Sequence, residues 1–433
     1  MTKQSSFKKL VRTRMQKTGE SYSTARRHIL AAAPLSTGKG SPHFPGINPA
    51  TTALRILLSA RGIHNPLTKA PFTEAMLLGI AGGLGAGVFT FRYEKEEFSS
   101  FFAAGRHLWH DNLAFMQGCL ERLGVDSQVW ESTSAAKALE QLRSALELGP
   151  VACWVDNAHL PYHGLPAWFS GGGYHLLVVQ SIDEKRQIAI LSDLMDDTLE
   201  LPIDILQEAR GRIRKDKYRL LALTGQRSAP DLSLAIEAGL AACTAGLTTG
   251  RIRNFQLAAF EDWADQLHGK SGKQSWSTLF PRGRHLWTAL TWSYDCIEHY
   301  FCGGGMLRPF HAEFLDEAAK QLKRPQLAQA AAQYRDIGAQ WTKLADILLP
   351  SGTDLTAQAR ELYDLRAESF NSPGPQSRAE IWQQLGALQA RAAADFPLDQ
   401  AAVDNLLAAA QQQLRQICAA ERGALADLAT LSL

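Results

Sequence analysis

At 433 residues, 45% hydrophobic and 20% charged, the chain is long enough for two or three domains with ordinary buried cores. No run approaches the roughly 18 uninterrupted apolar residues of a membrane span, and no apolar segment follows the basic N-terminus, so a cytoplasmic protein with no membrane partner is expected. The net charge of +2 is unevenly placed: in residues 1–35 eight basic side chains face Glu20 alone, a local +7 that leaves −5 for the rest.

In chain order, Phe7, Leu10, Val11 and Met15 fall at helical spacing, Gly19 breaks the pattern, and Ser21 or Ser23 is placed to cap a second short helix. Residues 1–35 thus form a basic helical leader. It is a candidate for gripping nucleic-acid phosphates or for docking on an acidic partner or the acidic remainder of the chain; a solvated arm is the plainer reading. The stretch from Pro34 to Pro49 is rich in Pro, Gly and Ser and reads as a linker, or as a loop laid over the next domain.

Residues 36–228 read as an α+β domain. Helices are expected at 52–60, 98–123 and 135–148, with an apolar, glycine-rich stretch at 75–87. Strands are expected at 128–132, 151–155, 176–180, 187–191 and 218–223, so helices precede an antiparallel sheet. Residues 229–433 lose the strand signal. Leu327, Ala331, Tyr334, Ile337, Trp341, Leu344 and Leu348 recur at steps of three and four between Pro325 and Pro350, and Leu407, Leu414 and Ile417 repeat the pattern, which makes this part an all-α helical domain.

The sharpest chemical feature is His175 with Asp193. They sit at mirrored ends of two short apolar runs that read as a hairpin; with its turn centred on Glu184 they would face each other about 5 Å apart at Cβ. That pairing orients an imidazole for acid or base work; a histidine that merely packs is the bland alternative. Asp156 ends an apolar run, where an Asx-turn role competes with ligand contact, and Tyr162 is a candidate cleft wall. Cys153 reads as core. The glycines at 79, 82, 83, 85 and 87 match no nucleotide motif and suit close packing instead. His107 with His110, and His159 with His163, have helical spacing, but no acidic third ligand follows at a metalloprotease distance. None of the six cysteines shows CxxC spacing, so neither a zinc site nor a disulfide framework is expected, and no metal or cofactor is assigned. Cys302, before three glycines, is a remote candidate nucleophile.

Four segments together carry a resemblance: 48–54 (Asn-Pro-Ala-Thr-Thr-Ala-Leu), 79–85 (Gly-Ile-Ala-Gly-Gly-Leu-Gly), the stretch from Pro150 to Tyr162, and Tyr174-His175. They resemble the N-terminal domain of the butirosin biosynthesis acyltransferase, a papain-like family. The later segments 303–310 and 313–315 resemble the uncharacterised helical domain commonly fused to it. The resemblance implies a papain-like cysteine-peptidase or acyltransferase-type α+β domain, with His175 and Asp193 completing a cysteine triad. It also implies substrate contacts at Asn48, Asp156, Tyr162 and Tyr174, and a small-molecule or acyl-carrier-bound substrate. Asn48 and Pro49 stand where the family has histidine and cysteine. Proline suits a first helical turn, so the fold survives, but the thiol is missing. Two functions follow as expectations. The first is a degenerate or atypical acyltransferase or amide-processing domain binding an acyl, peptidyl or aminoglycoside-like molecule. The second is a non-catalytic regulatory or scaffolding protein with a nucleic-acid-binding N-terminus.

Overall fold

The computed structural model describes residues 12–19, 25, 42–93, 98–250, 252–269, 272–369 and 375–431. Of the leader, residues 12–18 are helical, and the helix stops at Gly19, whose φ of +70° only glycine adopts freely. Arg12 reaches back 2.9 Å to Glu368 of the helical domain. The remaining leader expectations lie outside the described residues. Residues 42–47 do lie over the α+β domain: Gln180 donates to the Pro42 carbonyl and Gly46 N–H to that of Leu194.

The α+β domain is built on a six-stranded sheet, order β3-β8-β4-β5-β6-β7, in which every pair is antiparallel. Its members are β3 (Val125–Trp130), β4 (Val151–Asp156), β5 (Tyr174–Asp183), β6 (Ile188–Ser192), β7 (Leu199–Pro202) and β8 (Leu220–Gln226). All six residues of β4 are buried because it is central and covered on both faces. Ala152 and Trp154 face one apolar core; Val151, Cys153 and Val155 face another, the period-two alternation of a strand. The first core holds α1 (Pro49–Ala60). The second holds Leu142 and Ala145 of the helix Ala135–Leu146 and Leu206 and Ala209 of the helix Ile203–Arg212.

One expectation is corrected ahead of the sheet. The span 98–123 is not one helix: Phe98–Arg106 is strand β2, paired with β1 (Leu84–Tyr93), and only Asn112–Arg122 is helical. The run Phe98-Ser-Ser-Phe-Phe-Ala-Ala carries no local breaker. Tertiary packing decides it, since Phe101 is buried against Trp263, Trp276 and Phe280 of the helical part. Strand β7 is also additional to the expected set.

After α2 (Glu74–Ile80) and the sheet, every regular element among the described residues from Leu232 onward is a helix. The helix Pro325–Leu348 buries its whole expected stripe, from Leu327 to Leu348. The two parts share a continuous core. Gly79 makes that close fit: a Cβ there would stand 2.1 Å from the Phe314 ring, and one on Gly239 would stand 2.3 Å from the Gly79 carbonyl. Among the described residues no helix is long and apolar enough to cross a membrane.

Candidate active site

Strand β5 carries His175, and Asp193 follows the last residue of β6. Their meeting differs from the expected cross-strand pair. Val178 stands opposite Ser192, and a bulge at Gln180 shifts the register toward the turn, so Asp193 is not directly across from His175. The side chains converge diagonally just past the paired stretch, with Nε2 of His175 2.9 Å from each carboxylate oxygen. Both side chains are fully buried.

Asp193 gathers more than one imidazole. Nε2 of His163 lies 3.3 Å from Oδ2, the Tyr162 hydroxyl donates to the same oxygen at 3.0 Å, and the Leu194 N–H donates to Oδ1 at 2.8 Å. Burial works to raise the carboxyl, but the electrostatic pull of the His175 ring and the hydrogen bonds from His163 and His175 outweigh it and hold the group well below its ordinary range. Burial drives His163 down to about 4 despite its bond to Asp193, and burial with the neighbouring carboxylate pushes Tyr162 well up. Arg378 of the helical domain donates to the Tyr162 carbonyl and so fixes this turn from outside.

His163, His175 and Asp193 also bring ligand atoms within 4.8 Å of one another, a set suited in type to a divalent ion. A ligating imidazole ordinarily donates its second nitrogen to an acceptor. Nδ1 of His175 is buried with no partner among the described residues, so the set fits hydrogen bonding to Asp193 better than metal ligation.

Facing the pair is the N-terminus of α1. Asn48 caps it, accepting from Ala50 N–H at 3.1 Å, with Pro49 at the first helical position. Glu74 lies against this end and accepts from Ile47 N–H (3.0 Å), Asn48 N–H (3.4 Å), and the hydroxyls of Thr51 and Thr52 (2.7 Å each). The positive end of the helix, which would stabilise a thiolate, already has an anion beside it. The seam between α1 and the sheet, lined by Pro49, Thr52, Ala53, Ser192, Asp193 and Leu194, is closed: the described residues leave no room there even for a water molecule. Phe301 of the helical domain closes in beside it. Its carbonyl accepts from Nδ2 of Asn48 at 3.1 Å, and its ring lies 5.6 Å from that of His175.

The other predicted residues fall as follows. Tyr162 joins the pair. Asp156 is fully buried and accepts from Ala158 N–H (3.0 Å) and Gly171 N–H (2.5 Å), an Asx cap that ties down the following loop. Tyr174 is 44% exposed, with the Lys215 ammonium over its ring, and does not join the cluster. His159 turns away to Glu208 and Ser170, because Pro161 separates it from His163 onto another 3-10 turn. Cys302 is buried, its thiol set 3.2 Å from the Ile297 carbonyl and pushed up by burial to about 12. Sequence reasoning considered His163 only as a partner for His159. Glu74, Phe301 and Arg378 carried no local signal, since only the folded chain brings them to the site.

An α+β domain that sets an imidazole and a carboxylate against the N-terminus of its first helix is acyltransferase-like in architecture. Residues 48–194 match the family model of the butirosin biosynthesis protein H N-terminal domain, and residues 206–372 match a domain of unknown function, DUF4872; the chain carries the two in that order. No curated protein matches the chain.

Proposed function

We propose that the chain is a thiol-less acyltransferase-like protein that binds an acyl, peptidyl or aminoglycoside-like small molecule beside His175 and Asp193. The observation that carries this reading is the state of His175: Nε2 is held by both oxygens of Asp193, while Nδ1 has no partner among the described residues. An imidazole so oriented is a base whose free lone pair is directed away from its orienting carboxylate. With Pro49 at the family's thiol position, no acyl-enzyme forms there. His175 instead accepts a proton from water or an amine as that nucleophile attacks a thioester carbonyl; the new C–O or C–N bond forms, the C–S bond breaks, and the proton passes to the departing thiolate. Asn48 and Tyr162 are proposed as contacts around the reacting molecule.

The test is incubation with acyl thioesters, alone and with an aminoglycoside acceptor, followed by product analysis and intact mass. Turnover without a covalent adduct is expected, and His175→Ala should lower it by about 10²–10⁴, the usual contribution of a positioned base. An acyl adduct on the protein, or turnover indifferent to His175→Ala, would refute the proposal.

A further inference from the structure

Phe301 is the residue through which the helical domain touches both halves of the candidate site. We infer that it is the resident occupant of an acyl subsite, and that the ligand able to replace it is a carbonyl compound bearing an aromatic group, such as a phenylalanyl or aryl-acyl unit. This inference rests on the thiol-less acyl-processing reading above and adds the substrate class.

The first support is the Asn48 carboxamide. Its oxygen is committed to the Ala50 N–H at 3.1 Å, which fixes the side chain and leaves Nδ2 as a preoriented donor. What it holds is a backbone carbonyl, that of Phe301, at 3.1 Å. The second support is the ring, which lies against the His175 imidazole at 5.6 Å between centroids and 32° between planes. One residue thus fills a carbonyl position and an aromatic position at once.

The third support is the backbone that delivers it. Phe301 has φ +54°, and Gly303, Gly304, Gly305, Met306 and Leu307 follow at +68°, +89°, +54°, +51° and +71°. Phe, Met and Leu are costly in this region, so their contacts must offset the strain. Phe301 is only partly buried, unlike the fully buried His175 behind it, so displacing its ring opens the site without unfolding the sheet.

Full-length protein with Phe301→Gly tests this, because glycine accepts a φ of +54° and, with the anchoring ring gone, its backbone carbonyl is left on Asn48 for the carbonyl of a probe to displace. N-acetyl-phenylalaninamide and N-acetyl-glycinamide are the probes, titrated by calorimetry or NMR. The variant is expected to bind the phenylalanine amide at least about tenfold more tightly than wild type does, and about tenfold more tightly than it binds the glycine amide. Adding Asn48→Asp, which keeps a capping oxygen but removes the donor, should cut that affinity about tenfold. Should the glycine variant not fold, Phe301→Ala carries the same measurement. Equal binding of both probes, no gain over wild type, or indifference to Asn48→Asp would overturn the inference. Probe binding without thioester turnover would uphold this subsite while refuting the catalytic reading. His175-dependent turnover without probe preference would refute the subsite alone.

Discussion

Two buried carboxylates flank the seam between α1 and the sheet, and each accepts hydrogen bonds from four partners, of different kinds. Asp193 is surrounded by side chains that can titrate: His175, His163 and Tyr162, with one backbone N–H from Leu194. Glu74 is surrounded by groups that cannot titrate in the ordinary range: the N–H groups of Ile47 and Asn48 and the hydroxyls of Thr51 and Thr52. The sheet side therefore keeps groups able to move protons, while the helix side is organised as a cap. The same device, a fully paired carboxylate, orients two imidazoles in one place and ends a helix in the other. What differs is the company, and that is where the absence of a thiol at Pro49 has its physical counterpart.

Breaking the sheet side should have the largest effect. Asp193→Ala leaves two imidazoles, a phenol and an N–H without their buried acceptor, and should cost about 3–5 kcal/mol in denaturant unfolding. A loss under about 1 kcal/mol would mean that the cluster is not the organising centre of this seam. His163 gives a pH-resolved version. Burial depresses its folded pKa to about 4 from its ordinary 6.5, so the unfolded chain binds more protons between those values. Stability associated with His163 is thus fully present above pH 6.5 and lost as pH falls toward 4, by on the order of 1–3 kcal/mol. His163→Gln should flatten the stability slope across that window. An unchanged slope would place His163 in a more solvated setting than the one described. Tyr162→Phe removes one hydroxyl donated to the carboxylate and should cost about 2 kcal/mol, with little change in the pH slope between 4 and 6.5.

The sequence made different parts of this comparison legible to different degrees. The pair itself was readable, because two short apolar runs place His175 and Asp193 near the same end of a hairpin; the register was not, because the bulge at Gln180 has no local signature. The helix expected at 52–60 begins three residues earlier, at Pro49 with Asn48 as its cap; only the family resemblance put a helix start at Pro49, although a capping side chain and a first-turn proline act locally. Glu74 lies 26 residues on from Asn48 and Phe301 lies 253 on, and no periodicity reports contacts at such separations. The misread helix at 98–123 has the same cause: a strand that owes its state to Trp263, Trp276 and Phe280 cannot be recognised from its own residues.

The helix side can be tested by putting a thiol back. Pro49→Cys places a sulfur at the first helical position, where a free helix N-terminus would favour the thiolate. Here Glu74 accepts from Asn48 N–H and both threonine hydroxyls of that turn, so its negative charge opposes a second anion close by. Pro49→Cys alone should therefore react slowly with iodoacetamide at neutral pH. Pro49→Cys with Glu74→Gln, which keeps the shape and most hydrogen bonds while removing the charge, should react about tenfold faster, equivalent to ~1.4 kcal/mol in thiolate stability. Comparable rates in the two variants would show that Glu74 does not govern the electrostatics at this helix end, and the contrast between the two carboxylates would then reduce to one of packing.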